Sequence, residues 1–400
     1  MDKNTLSSID MIYERPILET VLNRLKEKRN KIHILSGARQ VGKTTLVQQA
    51  LNKLDSPKIY VMAESGFSTL WIEQQWSAAR ALSATHPEGV LLVIDEIQKI
   101  DQWSERVKRL FDEDTIQNKN VKVVLLGSSA LLLKKGLTES MAGRFEIIPI
   151  THWTYSECQE AFDLTLDEFI YFGAYPGALP FRHDENRFFS YIQDSIIEPV
   201  VSRDIFSQHI IHKPALLREL FRLGCYYSSQ ILSFNKMLGQ MQDAGNTTTL
   251  AHYLTLLEQS GVLKGIHKYI KEPLKTRQSS PKFQVFNTAL QSSVMKTNFQ
   301  QTMEDPEIKG RLVESAIGAY LLSHSNAKVY YWRENNKEVD FVIELNGKLI
   351  VIEVKSGKRI TSIPGLELFD KKFSSDSKLL VGTGGIPLDV FLKTSLENFI

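Results

Sequence analysis

The run Gly37-Ala38-Arg39-Gln40-Val41-Gly42-Lys43-Thr44 constrains this chain more than any other stretch, because it demands a strand, a glycine-rich turn and a helix start in that order. It follows the apolar segment Lys31–Ser36, which reads as a strand, and precedes a helix beginning at about Lys43. The glycines let the backbone wrap a phosphate chain, so that N–H groups and the helix N-terminus face negative charge. Gly37, Ala38, Arg39, Gln40, Val41, Gly42, Lys43, Thr44 and Thr45 are therefore the expected ATP-binding set. Lys43 is expected to reach the β- and γ-phosphates, and the Thr44 hydroxyl to bind Mg²⁺.

A second apolar run, Val90-Leu91-Leu92-Val93-Ile94, ends in Asp95-Glu96. In open parallel sheets ligands gather at the carboxyl ends of strands. Asp95 is expected to hold the magnesium through water, and Glu96 to orient or deprotonate the attacking water. Strand candidates Lys58–Met62, Val121–Leu126 and Phe145–Ile150, with helical stretches between most of them, complete an α/β domain over residues 1–150.

A chain of 400 residues exceeds what one hydrophobic core usually serves, which predicts further domains. The charge balance, 48 basic against 46 acidic residues, leaves a nucleic-acid site to be built as a local patch. Cys158 and Cys225 stand far apart and outside metal-ligand spacings, as in a reducing compartment. Absence of a signal-peptide pattern or a membrane-length apolar run predicts a cytoplasmic protein with no membrane partner.

The P-loop, Ile94-Asp95-Glu96-Ile97-Gln98-Lys99, Leu126-Gly127-Ser128-Ser129-Ala130 and Glu139-Ser140-Met141-Ala142-Gly143-Arg144 together resemble the AAA-type ATPases of bacteria and archaea, specifically a group with a C-terminal domain of unknown function. Tyr175-Pro176-Gly177 and Ser202-Arg203-Asp204-Ile205 extend the resemblance toward the C-terminal end. The resemblance implies that Ser128 or Ser129 senses the γ-phosphate. It also implies that Arg144 is an arginine finger acting on a neighbouring subunit's ATP, which requires a homo-oligomer. A common turn and a surface arginine are the plain alternatives.

Residues 151–300 read as a helical lid and winged-helix region. Phe234–Met241, the turn Asp243-Ala244-Gly245-Asn246, the helix Thr247–Ser260 and strands at Gly261–Leu263 and Gln284–Phe286 follow the winged-helix order. Lys264, His267, Lys268, Lys271, Lys275, Arg277 and Lys282 make its wing basic. Thr247–His252 heads the recognition helix, which offers threonines and one histidine rather than base-reading Arg or Asn. DNA contact with weak sequence specificity is the expected partner use; protein interaction is the alternative. Asp204, His209 and His212 read as loop or surface groups, and Phe188, Phe189, Tyr191, Tyr226 and Tyr227 as helix packing.

After a polar linker at 301–309 comes a third, small α/β domain over 301–400: a helix at Arg311–Ser323 and strands Val329–Trp332, Glu338–Leu345 and Lys348–Val354. Asn346-Gly347 predicts a two-residue hairpin that sets Asp340 opposite Glu353 and Glu338 opposite Lys355, on one face. Opposed carboxylates repel unless a cation lies between them. Asp340 with Glu353-Val354-Lys355 resembles the pattern of restriction-endonuclease-like, PD-(D/E)xK nucleases. That implies Asp340 and Glu353 as Mg²⁺ ligands, Lys355 as the group positioning water, and Glu314 as a further acid. Val339 stands where that family has proline, and the helix near Leu366–Phe373 offers Glu367 rather than glutamine. Three functions fit these residues: an ATPase acting on DNA with a nuclease, an ATP-dependent switch with an inactive nuclease-like binding module, and a DNA-binding regulator whose ATPase controls assembly.

Overall fold

The computed structural model describes residues 13–127, 141–241, 245–271, 279–323, 327–357 and 363–399. They group into two units. The first comprises 13–36, 42–127 and 141–150; the second comprises 37–41 together with 151–399.

The first unit is a five-stranded parallel sheet, order β2-β3-β4-β1-β5, built from β1 (Ile32–Ser36), β2 (Lys58–Met62), β3 (Val90–Asp95), β4 (Val121–Gly127) and β5 (Phe145–Pro149). All six residues of β3 are buried, as a near-continuous apolar run between helix layers should be. Helices Thr69–Ser83 and Trp103–Ile116 pack on this sheet through Ile72, Trp76, Val107 and Leu110. Between them Asp114, wholly buried, accepts from the Trp76 indole at 2.7 Å and from the Arg80 guanidinium at 2.5 Å.

The second unit is built on a mixed six-stranded sheet, order β11-β10-β9-β8-β6-β7. Its strands are β6 (Leu263–Lys268), β7 (Lys282–Val285), β8 (Lys328–Glu334), β9 (Lys337–Leu345), β10 (Lys348–Lys355) and β11 (Ser377–Gly382). Helices Phe234–Leu238 and Thr247–Gln259 lead into the antiparallel β6–β7 ribbon, the order expected of a winged helix. The ribbon is not free-standing: β6 pairs in parallel with β8 at His267–Tyr330 and Lys268–Tyr331. A division near residue 300 therefore does not separate two sheets.

Asn346 and Gly347, at φ 51° and 79°, form the predicted two-residue turn, and β9–β10 pairing runs from Leu345–Lys348 to Phe341–Ile352. The stretch expected as a linker, 301–309, is helical instead: Phe299–Glu304 is followed by Pro306–Ser323. Asp305 caps the second helix, its Oδ1 accepting from Glu307 N at 2.9 Å and Ile308 N at 3.0 Å, with proline at the first helical position. Polarity hid a helix start.

Gly37–Val41 packs within the second unit. The Trp153 indole donates to Val41 O at 3.1 Å, the Tyr191 hydroxyl to Gln40 Oε1 at 2.6 Å, and the Arg39 guanidinium grips both Asp204 carboxylate oxygens. Asp204, read from sequence as a surface group, is buried and ends the π-helical stretch Pro199–Asp204. π-helical turns are rare and often sit at functional sites. No helix among the described residues is long and apolar enough to cross a membrane.

Candidate functional site

The helix Lys43–Asn52 opens where the sequence places it, with Gly42 as its N-cap at φ 89°. That left-handed conformation is strained for any residue with a Cβ. Gln40 also has positive φ, 60°, so the loop turns its backbone repeatedly as phosphate-cradling loops do. Lys43 is buried at 8% exposure. Thr45 beside it is exposed.

The Thr44 hydroxyl donates to Asp95 Oδ2 at 2.7 Å, bringing together the two groups predicted to serve one magnesium ion. The Tyr60 hydroxyl donates to the same oxygen at 2.8 Å, and the Glu96 amide to Asp95 Oδ1 at 2.8 Å. Burial, then the hydrogen bond to Asp95, pushes Tyr60 up and keeps it a donor. A hydroxyl and a buried carboxylate are hard oxygen ligands, and Mg²⁺ in nucleotide sites takes one or two such groups plus phosphates and water. The residues present thus fit Mg²⁺·ATP.

Glu96 has φ 54°, outside the range a non-glycine residue normally adopts, and such outliers gather at functional sites. Its Oε2 accepts from Gln98 at 2.8 Å and lies 4.0 Å from Lys99 Nζ. Arg144 is held on its own unit: its Nε donates to Asp112 Oδ1 at 2.7 Å and an Nη to Ala142 O at 3.1 Å. That hydrogen bond to Asp112 holds the guanidinium above its ordinary value. Ser128 and Ser129 lie outside the described residues.

The expected basic wing divides. Lys264 pairs with Glu258 at 2.7 Å, His267 and Lys271 are exposed, and Lys275 and Arg277 lie outside the described residues. Lys282 opens β7 of the ribbon but offers no exposed charge, because it is wholly buried. The exposed face of the Thr247–Gln259 helix carries Thr247, Thr248, Ala251, His252 and Thr255, with no arginine or lysine.

Lys282 Nζ lies 2.5 Å from Glu314, 3.6 Å from Glu338 and 3.8 Å from Asp340, and donates to Asp340 O at 3.1 Å. Asp340 Oδ2 accepts from Val354 N at 2.8 Å, and Glu353 Oε1 from Lys355 Nζ at 2.6 Å. The structure thus brings Glu314, Asp340, Glu353 and Lys355 near one another and adds a second ammonium, Lys282. Burial and then Asp340 push Glu314 up to about 8 and Glu353 up to about 7. Burial alone would lower Lys282, but Glu314, Asp340 and Glu338 outweigh it and hold the amine above its usual range. No group of three or more His, Cys, Asp or Glu side chains among the described residues is arranged to hold a metal ion.

Residues 29–159 match the family described as AAA domain. A Walker-type ATPase of Pyrococcus abyssi superposes with a TM-score of 0.51 over 72% of this chain and 96% of its own, at 13% identity. The first unit thus carries the AAA-domain match, and its parallel sheet has the fold of a P-loop ATPase. Residues 163–301 and 309–391 match two families described as domains of unknown function, DUF8612 and DUF4143. Among curated relatives, an uncharacterized protein of Methanocaldococcus jannaschii is 25% identical over 81% of this chain and 75% of its own length. An uncharacterized protein of Haemophilus influenzae is 22% identical over 57% of this chain and 60% of its own. The DUF4143 match carries no nuclease assignment, so the nuclease resemblance rests on the carboxylate pattern alone.

Sequence reasoning passed over several residues that contact the expected site residues. Tyr60 is a middle residue of an exposed-looking strand, and its hydroxyl reaches Asp95 only because β2 lies beside β3 in register Tyr60–Val93. Gln98 follows Glu96 by two positions in a short 3₁₀ turn, a spacing that carries no signature. Asp112 stands 32 positions before Arg144 and is brought to it by the fold.

Proposed function

We propose that the chain binds Mg²⁺·ATP at its P-loop and hydrolyses it, with the nuclease-like second unit serving as a binding or coupling module rather than a nuclease. The observation that carries the ATP reading is the 2.7 Å contact of Thr44 with Asp95, next to buried Lys43 at the head of a glycine-capped helix. In this reading Lys43 and the loop N–H groups of 37–45 neutralise the phosphates, and Thr44 and Asp95 hold Mg²⁺, which supplies charge neutralisation to the phosphates. Glu96, at the strand end with Gln98 fixing its carboxylate, takes a proton from the attacking water. Phosphate release from ATP by the purified chain, present with Mg²⁺ and abolished by a chelator, tests it. Nucleotide bound without any turnover would leave a switch in place of an ATPase.

Arg144 completes the site from a neighbouring copy in this proposal, which makes the working form a homo-oligomer. Its tie to Asp112 must then be exchanged for phosphate when copies meet. Arg144→Ala is expected to keep nucleotide affinity and lose most hydrolysis, by about 10³-fold or more, because the guanidinium meets charge that develops only in transit. Mixing it with the inactive Lys43→Ala should restore turnover in hetero-oligomers. Mixed assemblies without rescue would place Arg144 outside the neighbour's site.

DNA as partner keeps one support: the order of two helices and a ribbon, with His267, Lys271 and the threonine-rich face of Thr247–Gln259 exposed. Such a face suits backbone contact better than base reading. Stimulation of ATP turnover by duplex DNA that weakens steeply with salt is the expected sign.

A further inference from the structure

We propose that Lys282 is a resident counter-cation that takes the place of a divalent metal among Glu314, Glu338 and Asp340, so that the second unit excludes Mg²⁺ and Mn²⁺ there. The restriction-endonuclease resemblance implies a metal held by Asp340 and Glu353, and the residues present do not fit one. A metal would need those carboxylate oxygens turned to a shared point. Asp340 Oδ2 is instead engaged by the Val354 amide, Glu353 Oε1 by Lys355, and an ammonium lies within 3.8 Å of Glu314, Glu338 and Asp340.

The amine has no route aside. Lys282 is wholly buried, its Nζ lies 4.9 Å from the centre of the Phe341 ring, and its strand is pinned on both sides, to Ile266 in β6 and to Ile231 in an isolated bridge. A divalent ion arriving at the same oxygens would meet a like charge that cannot withdraw, and like charges at such range in a low-dielectric site repel strongly. The carboxylates come from the helix Pro306–Ser323 and from β9, whereas the ammonium comes from β7 of the ribbon. The site is therefore closed by an element outside the hairpin that resembles a nuclease, which is why the hairpin pattern alone predicts a metal. This inference does not depend on ATP turnover.

The test uses the full chain carrying Lys43→Ala without nucleotide, and follows Mn²⁺ uptake by electron paramagnetic resonance and calorimetry. The parent should show no uptake that Asp340→Asn removes. Lys282→Met should gain Mn²⁺ affinity by at least ten-fold, with a matching rise in melting temperature on Mn²⁺ addition, and adding Asp340→Asn should erase the gain. Lys282→Arg, which keeps the cation, should remain without metal. If Lys282→Met does not fold, Lys282→Met with Glu314→Gln removes one charge of each sign and should still bind Mn²⁺ more tightly than the parent, though by less, because one of the acids around the ion is gone. Uptake by the parent that Asp340→Asn removes would overturn the proposal, and so would folded Lys282→Met, alone or with Glu314→Gln, that binds Mn²⁺ no better than the parent.

Discussion

Lys43→Ala is expected to abolish measurable ATP binding, whereas Glu96→Gln is expected to bind ATP and fail to turn it over. Lys43 is buried beside the loop backbone, so its loss removes the main counter-charge to the phosphates while leaving the fold of the helix start to Gly42. A hydrogen bond to a charged group is worth about 1.5–3 kcal/mol, or roughly ten- to a hundred-fold in affinity, and the loss of net charge neutralisation adds to it. Glu96→Gln leaves Thr44, Asp95 and Lys43 in place, and Gln98 still has an amide oxygen to donate to. What disappears is the group that accepts a proton from water, typically worth about 10²–10⁴ in rate. Equilibrium binding of a fluorescent nucleotide and steady-state phosphate release on both variants separate the two effects. Parent-like turnover in Glu96→Gln would remove that residue from the reaction.

Lys282→Met should be the most damaging single change in the second unit. It deletes the wholly buried ammonium that faces the half-buried Glu314, Glu338 and Asp340 and leaves their like charges without it. Removing one partner of a buried ion pair costs about 3–5 kcal/mol, because the remaining charge stays desolvated. Removing both partners costs far less, so Lys282→Met with Glu314→Gln should recover a large part of the loss. Calorimetry of the full chain, in which the two units can melt as separate transitions, reads this directly. A shift worth less than about 1 kcal/mol would mean that the ammonium does not hold the carboxylates together.

The parallel sheet of the first unit was legible because its strands are apolar runs of the right length, each bounded by turn residues. Lys58–Met62 and Val90–Asp95 were placed to the residue. The P-loop, Asp95 and Glu96 were legible because a motif fixes a local backbone and the sheet fixes the strand ends. The Asn346-Gly347 hairpin was legible for the same local reason, two residues whose preferred backbone matches the turn. Lys282 was not. A lysine grouped with Lys264, Lys268, Lys271 and Lys275 in a basic segment reads as solvent-facing, and only tertiary pairing shows otherwise. All four residues of β7 are buried, and Gln284 is satisfied by donating to Ser315 O at 2.8 Å and accepting from Ser229 Oγ at 3.2 Å. Lys282 and Gln284 share one face of the strand and Phe283 and Val285 the other, an alternation that reads as one solvated face, and only tertiary packing buries the polar one. Asp204 escaped for a related reason: its partner Arg39 lies 165 positions away, inside a motif already assigned to nucleotide.

The strand order of the second sheet bears on how this protein can be dissected. Residues 301–400 look in sequence like a portable domain, and the family boundary at 309 invites cutting there. Such a fragment would carry β8 with its β6-facing backbone uncovered, an open edge of the kind that recruits other chains and precipitates. It would also leave behind the lysine that neutralises its own carboxylates. Poor solubility of the excised piece, or metal binding by it, would then describe a wound made by the cut. Expression of 151–400 as one block keeps both the edge and the charge covered.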